Sequence, residues 1–143
     1  MRCSQVVRDL TRGQGPGSLA RACAAWDLIA DEMASVADDY DAAVAELMRS
    51  LARTGADATA LTLERFSRWL REISLCAAAT AHRAERASIA HSVAVLALPA
   101  GSAEGSEADD RHATQVMCEY RYACDVVTRP WRTPQPPGGA GCK

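Results

Sequence analysis

The stretch GPGSLARACAAWDLIADEM, residues 15–33, decides the fold of this chain. Ser18 follows a Gly-Pro-Gly tripeptide, and serine is a favoured residue at the position that caps the start of a helix. We therefore predict a helix that begins at Ser18 and runs to about Arg53, where Gly55 ends it. Large side chains recur along this helix at every seventh residue, which predicts a packing seam on one face. The seam comprises Leu19, Trp26, Met33, Tyr40 and Leu47, with Ala22, Ile29, Val36 and Ala43 three residues after its first four members.

The charged residues of this helix avoid the seam. They are Asp27, Asp31, Glu32, Asp38, Asp39, Asp41, Glu46 and Arg49. Separation of charged from apolar positions is typical of a long amphipathic helix with one solvated face. We prefer this interpretation to an acidic binding site, since a run of charges on a helix is usually exposed to water.

A second helix is predicted from about Thr59 to Leu98, because Pro99 and Gly101 end its pattern. The break between the two helices is short, so we expect them to lie antiparallel as a hairpin. The second half of this helix is rich in alanine, which lets another helix approach closely. Its first half carries bulky residues that we place in the core or in an interface: Phe66, Trp69, Leu70 and Ile73.

The chain is divided into four segments by its composition. Residues 1–17 form an N-terminal segment with the loop that leads into the first helix, and residues 18–98 form the hairpin. Residues 99–128 hold a linker and a shorter third helix, predicted from about Ser106 onward. Residues 129–143 are rich in proline and glycine and are expected to be disordered. Because no alternating pattern predicts a strand, the expected fold class is all-α.

Length and charge narrow the possible functions. A chain of 143 residues with 48% hydrophobic residues suits one domain. A net charge of −2 and a pI near 5.9 argue against nucleic acid as a partner, which favours a strongly basic surface. No uncharged apolar run reaches the roughly 18 residues that a membrane span needs, and the N-terminal stretch lacks the apolar core of a signal peptide. We therefore expect a soluble chain.

The cysteines are expected to be mostly free thiols. They are widely spaced and none forms a Cys-X-X-Cys pair. Buried in an apolar helix, cysteine acts as a small hydrophobic residue. The six are Cys3, Cys23, Cys76, Cys118, Cys124 and Cys142.

No motif in the sequence predicts catalysis. There is no Gly-X-Ser-X-Gly, no phosphate-binding glycine loop and no His-Glu-X-X-His. His82 and Glu85 lie one helical turn apart, with His91 further along, but a di-metal bundle uses the reverse order, Glu-X-X-His. We interpret these residues, and also His112, as surface residues, and we expect no cofactor, no metal and no enzymatic activity.

The predicted hairpin has more apolar surface than two helices can cover. Phe66, Trp69, Leu70 and Ile73 occupy more than one stripe, and the third helix is too short to cover both rods. Each exposed large side chain forfeits about 1.5–3 kcal/mol, so we expect a helical partner. The alternatives are a homodimeric four-helix bundle that acts as a cytosolic adaptor or regulator, and a bundle enzyme or metal carrier built on the histidines.

Several short motifs also follow one another in a fixed order. Gly-Pro-Gly at 15–17 is followed by Ala-Ala-Trp-Asp at 24–27, and Tyr40 lies fourteen residues beyond the tryptophan. RFSRWL at 65–70 and ALP at 97–99 come next. In this order the motifs resemble the N-terminal domain of the PPE (Pro-Pro-Glu) proteins, helical substrates of mycobacterial type VII secretion that are related to the Trp-X-Gly secretion proteins.

The resemblance implies a heterodimer in which a small PE-type helical hairpin completes a four-helix bundle around Trp26 and Trp69. It also implies a protein that is cytoplasmic before export and is then secreted or held at the cell surface, with a secretion chaperone as a further expected partner. In the hairpin turn, which the resemblance implies to be half of a secretion signal, the family carries Trp-X-Gly. This chain has Arg53, Thr54 and Gly55 there, and retains only the glycine.

Overall fold

The computed structural model describes residues 2–13, 15–51, 57–98, 106–127 and 132–138. Four helices cover most of this part of the chain: α1 (Cys3–Thr11), α2 (Pro16–Leu51), α3 (Asp57–Ala97) and α4 (Glu107–Val127). No strand occurs among the described residues, so the all-α prediction is confirmed. The three predicted helices correspond to α2, α3 and α4, with ends that differ by one or two residues.

Helix α2 begins at Pro16 rather than at Ser18, so the predicted cap is wrong. Gly15, with a φ of +66°, turns the chain into the helix, a conformation that glycine adopts without a steric penalty. Pro16 suits the first helical position because the amide that it lacks would have no partner there. Ser18 lies inside the first turn, where its hydroxyl donates to the Gly15 carbonyl at 3.0 Å.

The chain divides into two compact units. Unit 2 consists of Trp26–Thr80 and Trp131–Lys143. In it, the Ser74 hydroxyl donates to the Ala30 carbonyl at 2.8 Å, and the Tyr40 hydroxyl donates to the Leu63 carbonyl at 3.4 Å. From Ala30 to Tyr40 the residue number on α2 rises, while the residue contacted on α3 goes down from Ser74 to Leu63. The two helices of this unit are therefore antiparallel, as predicted.

The strip that unit 2 buries between its helices is lined mainly by alanine. Ala30 and Ala37 on α2 face Ala77 and Leu70 on α3, and each is at most 7% exposed. Small side chains let two helices approach closely. The buried row on α2 thus lies four residues after the seam positions. In the row expected three residues after them, Ile29, Val36 and Ala43 are exposed.

A polar cluster joins the two helices of unit 2 along one edge. The Arg71 guanidinium contacts the carboxylates of Asp38, at 3.1 Å, and Asp41. The Ser67 hydroxyl also donates to Asp41. This hydrogen bond, followed by the one from Arg71, lowers the pKa of the Asp41 carboxyl. The cluster therefore favours ionised Asp41 in the folded state.

Unit 1 consists of Met1–Ala25 and Ala81–Pro130, and its core forms around α1. Val6 is fully buried and Leu10 is 5% exposed. They lie four residues apart, on one face of the helix, and pack with buried residues of α3 and α4. Those residues are Ala94, Ala113, Val116 and Met117.

Both ends of α1 are held by residues from other helices. Arg2, at its N-cap, makes no side-chain cap, and the Asp110 carboxylate instead accepts from the Cys3 amide at 2.6 Å. At the other end, His91 Nε2 donates to the Leu10 carbonyl at 3.0 Å. The four amides and four carbonyls at helix ends lack partners within the helix, so these two contacts help to fix a nine-residue helix that is too short to be stable alone.

Helix α4 begins with a reciprocal cap, close to the predicted start. The Asp109 amide donates to the Ser106 hydroxyl at 3.2 Å, and the Ser106 amide donates to the Asp109 carboxylate at 3.0 Å. This is a capping box with aspartate in its acidic position. The hydrogen bond from the Ser106 backbone is the main cause of a lowered pKa for Asp109.

The described helices contain no stretch long and apolar enough to cross a membrane. Residues 132–138, which lie inside the tail expected to be disordered, include a turn at 137–138.

Truncating a buried α1 side chain should destabilise the protein. Leu10→Ala is expected to lower the free energy of unfolding by about 2–5 kcal/mol, because it removes packing from a closed core. Urea unfolding followed by circular dichroism measures the change. Ser4→Ala, at an exposed position of the same helix, is the control and should change stability by about 0.5 kcal/mol or less. Equal effects would contradict the assigned core of unit 1.

The polar cluster predicts a pH-dependent contribution to stability. The folded pKa of Asp41 lies below its unfolded value, so its contribution is complete above about pH 4 and is lost as the pH falls through the folded pKa. Asp41→Asn should therefore be less stable than the parent at pH 7, and this difference should shrink in more acidic buffer.

Urea unfolding of the parent and of Asp41→Asn, at pH 7 and in the more acidic buffer, tests this prediction. Asp39→Asn removes the same charge from an exposed position of α2 and is the control. A deficit of Asp41→Asn that stays the same at both pH values would contradict the role of the ionised carboxylate.

Candidate functional site

Three aromatic side chains form a continuous contact across the two helices of unit 2. The ring centroids of Tyr40 and Phe66 lie 5.0 Å apart and those of Phe66 and Trp69 lie 5.1 Å apart, with tilted planes. These distances are typical of favourable aromatic pairs. All three side chains are only half-buried. The sequence pattern selected these residues, and the structure brings them together.

Exposed aliphatic residues lie on the same edge of α2 as Tyr40. Ile29, Val36 and Leu47 are 43%, 47% and 43% exposed. Tyr40 lies eleven residues after Ile29, four after Val36 and seven before Leu47, and at 3.6 residues per turn these spacings place all four on one side of the helix. We call this surface, with Phe66 and Trp69, the aromatic edge.

The opposite edge of unit 2 is polar. Asp38 lies nine residues after Ile29, which is half a turn away from it around the helix. This side carries the contacts of Arg71 with Asp38 and Asp41. The hairpin of unit 2 is therefore asymmetric, with ion pairs along one edge and partly exposed aromatic and aliphatic side chains along the other.

The remaining predicted interface or core residues lie within or beside the helix contacts. Leu70 is buried at 4% exposure. Trp26, Met33 and Ile73, in unit 2, and Leu19, in unit 1, are half-buried.

The predicted turn residues Arg53, Thr54 and Gly55 lie outside the described residues.

Trp69 makes one further contact, to the tail. Its indole Nε1 donates to the Pro134 carbonyl at 2.9 Å. The sequence predicted Trp69 as a core or interface residue, but nothing in the helical pattern indicated a bond to residue 134. The only feature of the sequence that could have pointed to this contact is the run of prolines in the tail.

In the described part of the chain, no group of three or more metal-ligating side chains comes together. His82 lies 3.3 Å from Glu85 on the surface. His112 Nε2 donates to the Ala97 carbonyl at 2.8 Å, much as His91 does to Leu10. The second ring nitrogen of His91 is buried without a hydrogen-bond partner, and the ring lies edge-on to Tyr120 at 6.0 Å.

Tyr120 and Cys124 interact within α4. Burial, followed by the hydrogen bond with Cys124, raises the pKa of the Tyr120 phenol. Cys3, Cys76, Cys118 and Cys124 are thiols rather than disulfides, which agrees with the expectation from their spacing.

Comparison with known proteins assigns the chain to a family. The family model described as the PPE family matches residues 7–121. This range includes most of α1, all of α2 and α3, and most of α4. No curated protein matches the chain significantly. Since the match extends over well more than half of the 143 residues, the chain belongs to the PPE family.

Proposed function

We propose that this chain is a type VII secretion protein that acts through a helix–helix heterodimer, as a secreted substrate or as the partner of one. Family membership supports the link to secretion. The aromatic edge supports the heterodimer, because its exposed aliphatic side chains share one side of α2 with Tyr40. The proposed partner is a small helical hairpin of the PE type.

The three aliphatic residues of the aromatic edge favour association. Each is more than 40% exposed in the single chain. Burying such a side chain gains about 1.5–3 kcal/mol, and stable helical complexes of this kind commonly bury about 2,000 Å² or more. A partner that covers Ile29, Val36 and Leu47, together with the exposed faces of Phe66 and Trp69, would complete a four-helix bundle.

The polar edge of unit 2 determines on which side a partner can bind. Arg71, Asp38 and Asp41 are already paired with one another within the chain, so a partner there would have to desolvate charged groups without gaining new ones. A partner on the aromatic edge meets no such penalty. In this proposal the pair assembles in the cytoplasm, where a secretion chaperone is a further proposed partner, and is then exported to the medium or the cell surface.

Substitutions on the aromatic edge should separate binding from folding. The full chain is co-expressed with a PE-type helical hairpin protein. Ile29→Asp/Val36→Asp is expected to weaken association by about 100-fold or more, because two buried apolar contacts become charges. Copurification and sedimentation measure the loss.

Leu28→Asp is the matched control. Leu28 is 61% exposed but adjacent in sequence to Ile29, so it points about 100° away around the helix. It should leave association unchanged. Equal loss with both variants would contradict the assigned edge. A chain that purifies alone at about twice its mass of 15.2 kDa, with no affinity for the small partner, would favour the homodimeric bundle instead.

A further inference from the structure

The tail segment 132–138, RTPQPPG, has the sequence of a proline-rich ligand. It contains Pro134-Gln135-Pro136-Pro137, a Pro-X-X-Pro motif. Such motifs favour the polyproline II helix, which has three residues per turn and no internal hydrogen bonds. Their backbone carbonyls are therefore free to accept hydrogen bonds from a binding surface.

Burial along the segment follows the same period of three. Pro134 and Pro137 are half-buried, whereas the other five residues of the segment are exposed. In a polyproline II helix, residues three apart project from the same side. One side of the segment is therefore turned toward the protein, and the intervening side chains face water.

The contact at Trp69 has the chemistry of proline-rich recognition. Domains that bind Pro-X-X-Pro segments use aromatic-lined surfaces. Here the Trp69 indole donates to the Pro134 carbonyl at 2.9 Å, and Trp69 stands at the end of the contact that continues through Phe66 to Tyr40. A tryptophan offers both an apolar face for proline and a polar N–H for its carbonyl.

The segment ends in a turn that limits its length. Residues 137–138 form the turn, and Gly138 has a φ of +96°, a conformation that suits glycine after proline. The stretch before the turn thus spans 132–136, without helix or strand, and stops where the chain changes direction.

We propose that the aromatic edge is a receptor for an extended proline-rich peptide, and that residues 132–138 occupy it within the same chain. The Trp69 indole recognises the Pro134 carbonyl, and the rings of Pro134 and Pro137 pack on the protein. The proposal requires no second protein, and its tests are made on the single chain. Because the tail already contacts Trp69, a helical partner on the aromatic edge would have to displace the tail or bind beside it.

Competition between the tail and an added peptide tests the proposal on the full chain. The probe is a fluorescein-labelled synthetic peptide, RTPQPPG. Pro134→Gly/Pro137→Gly should bind it about tenfold or more tightly than the parent, because these changes vacate a site that the tail otherwise fills. The control, Arg132→Ala/Gln135→Ala, alters exposed positions of the same segment and should bind as the parent does.

Trp69→Phe, combined with the double glycine variant, should bind the peptide about three- to tenfold more weakly than the double variant alone, through loss of one hydrogen bond. Equal peptide binding by the parent and the double glycine variant would overturn the intramolecular occupancy. Absence of binding by both, or unchanged binding after Trp69→Phe, would overturn the receptor.

A measurement without the peptide covers the case in which Trp69→Phe does not fold. The measurement uses protein that carries ¹⁵N-labelled tryptophan. The indole proton of Trp69 should exchange slowly with solvent in the parent and in the Arg132→Ala/Gln135→Ala control. It should exchange about tenfold or more faster in Pro134→Gly/Pro137→Gly, since the acceptor no longer holds it. Identical exchange in all three chains would overturn the proposal.

Discussion

The close approach of two helices through alanine constrains the rest of unit 2. Ala30, Ala37 and Ala77 fill the strip between α2 and α3, and a strip lined by such small side chains has little room for larger ones. Tyr40, Phe66 and Trp69 therefore lie toward one edge, where they contact each other and stay partly exposed. An edge that the chain leaves only half covered is the physical basis for assigning it to binding.

The sequence predicted much of this fold because long helices carry a strong periodic signal. Positions recurring every seven residues identified α2. The breaks in the pattern at Pro99 and Gly101, and an apolar face after Ser106, placed α3 and α4 within one or two residues of their ends. The pattern was less successful in identifying which side of α2 is buried against α3. It selected Ile29 and Val36 as partners of the seam, whereas the row one position later, Ala30 and Ala37, is buried within the chain.

This shift has a simple cause. Periodicity weights large apolar residues, but the residues that meet inside unit 2 are small, and alanine is only weakly distinguished from a surface residue by hydropathy. Of the large residues selected by the pattern, Ile29, Val36 and Leu47 lie exposed on the aromatic edge. That these residues form an interface with another chain stays a prediction.

Features that depend on distant residues could not be predicted. Helix α1 has nine residues and is held by Asp110 and His91, whose roles only the tertiary structure discloses. The contact of Arg71 with Asp38 on the other helix could not be predicted either, because on sequence alone Arg71 is one more charge on a solvated face. The contact between Trp69 and Pro134 joins a helix to a segment with no periodic signal.

The separation in sequence between contacting groups also bears on the order in which the polypeptide matures on the ribosome. In unit 2, Tyr40 reaches a carbonyl 23 residues away and Ser74 one 44 residues away, so these bonds need only the first eighty or so residues to have been synthesised. The Cys3 amide must wait for an acceptor 107 residues later. The first helix in the sequence is therefore among the last to acquire its native neighbours, and until then Val6 and Leu10 are open to chaperones and proteases.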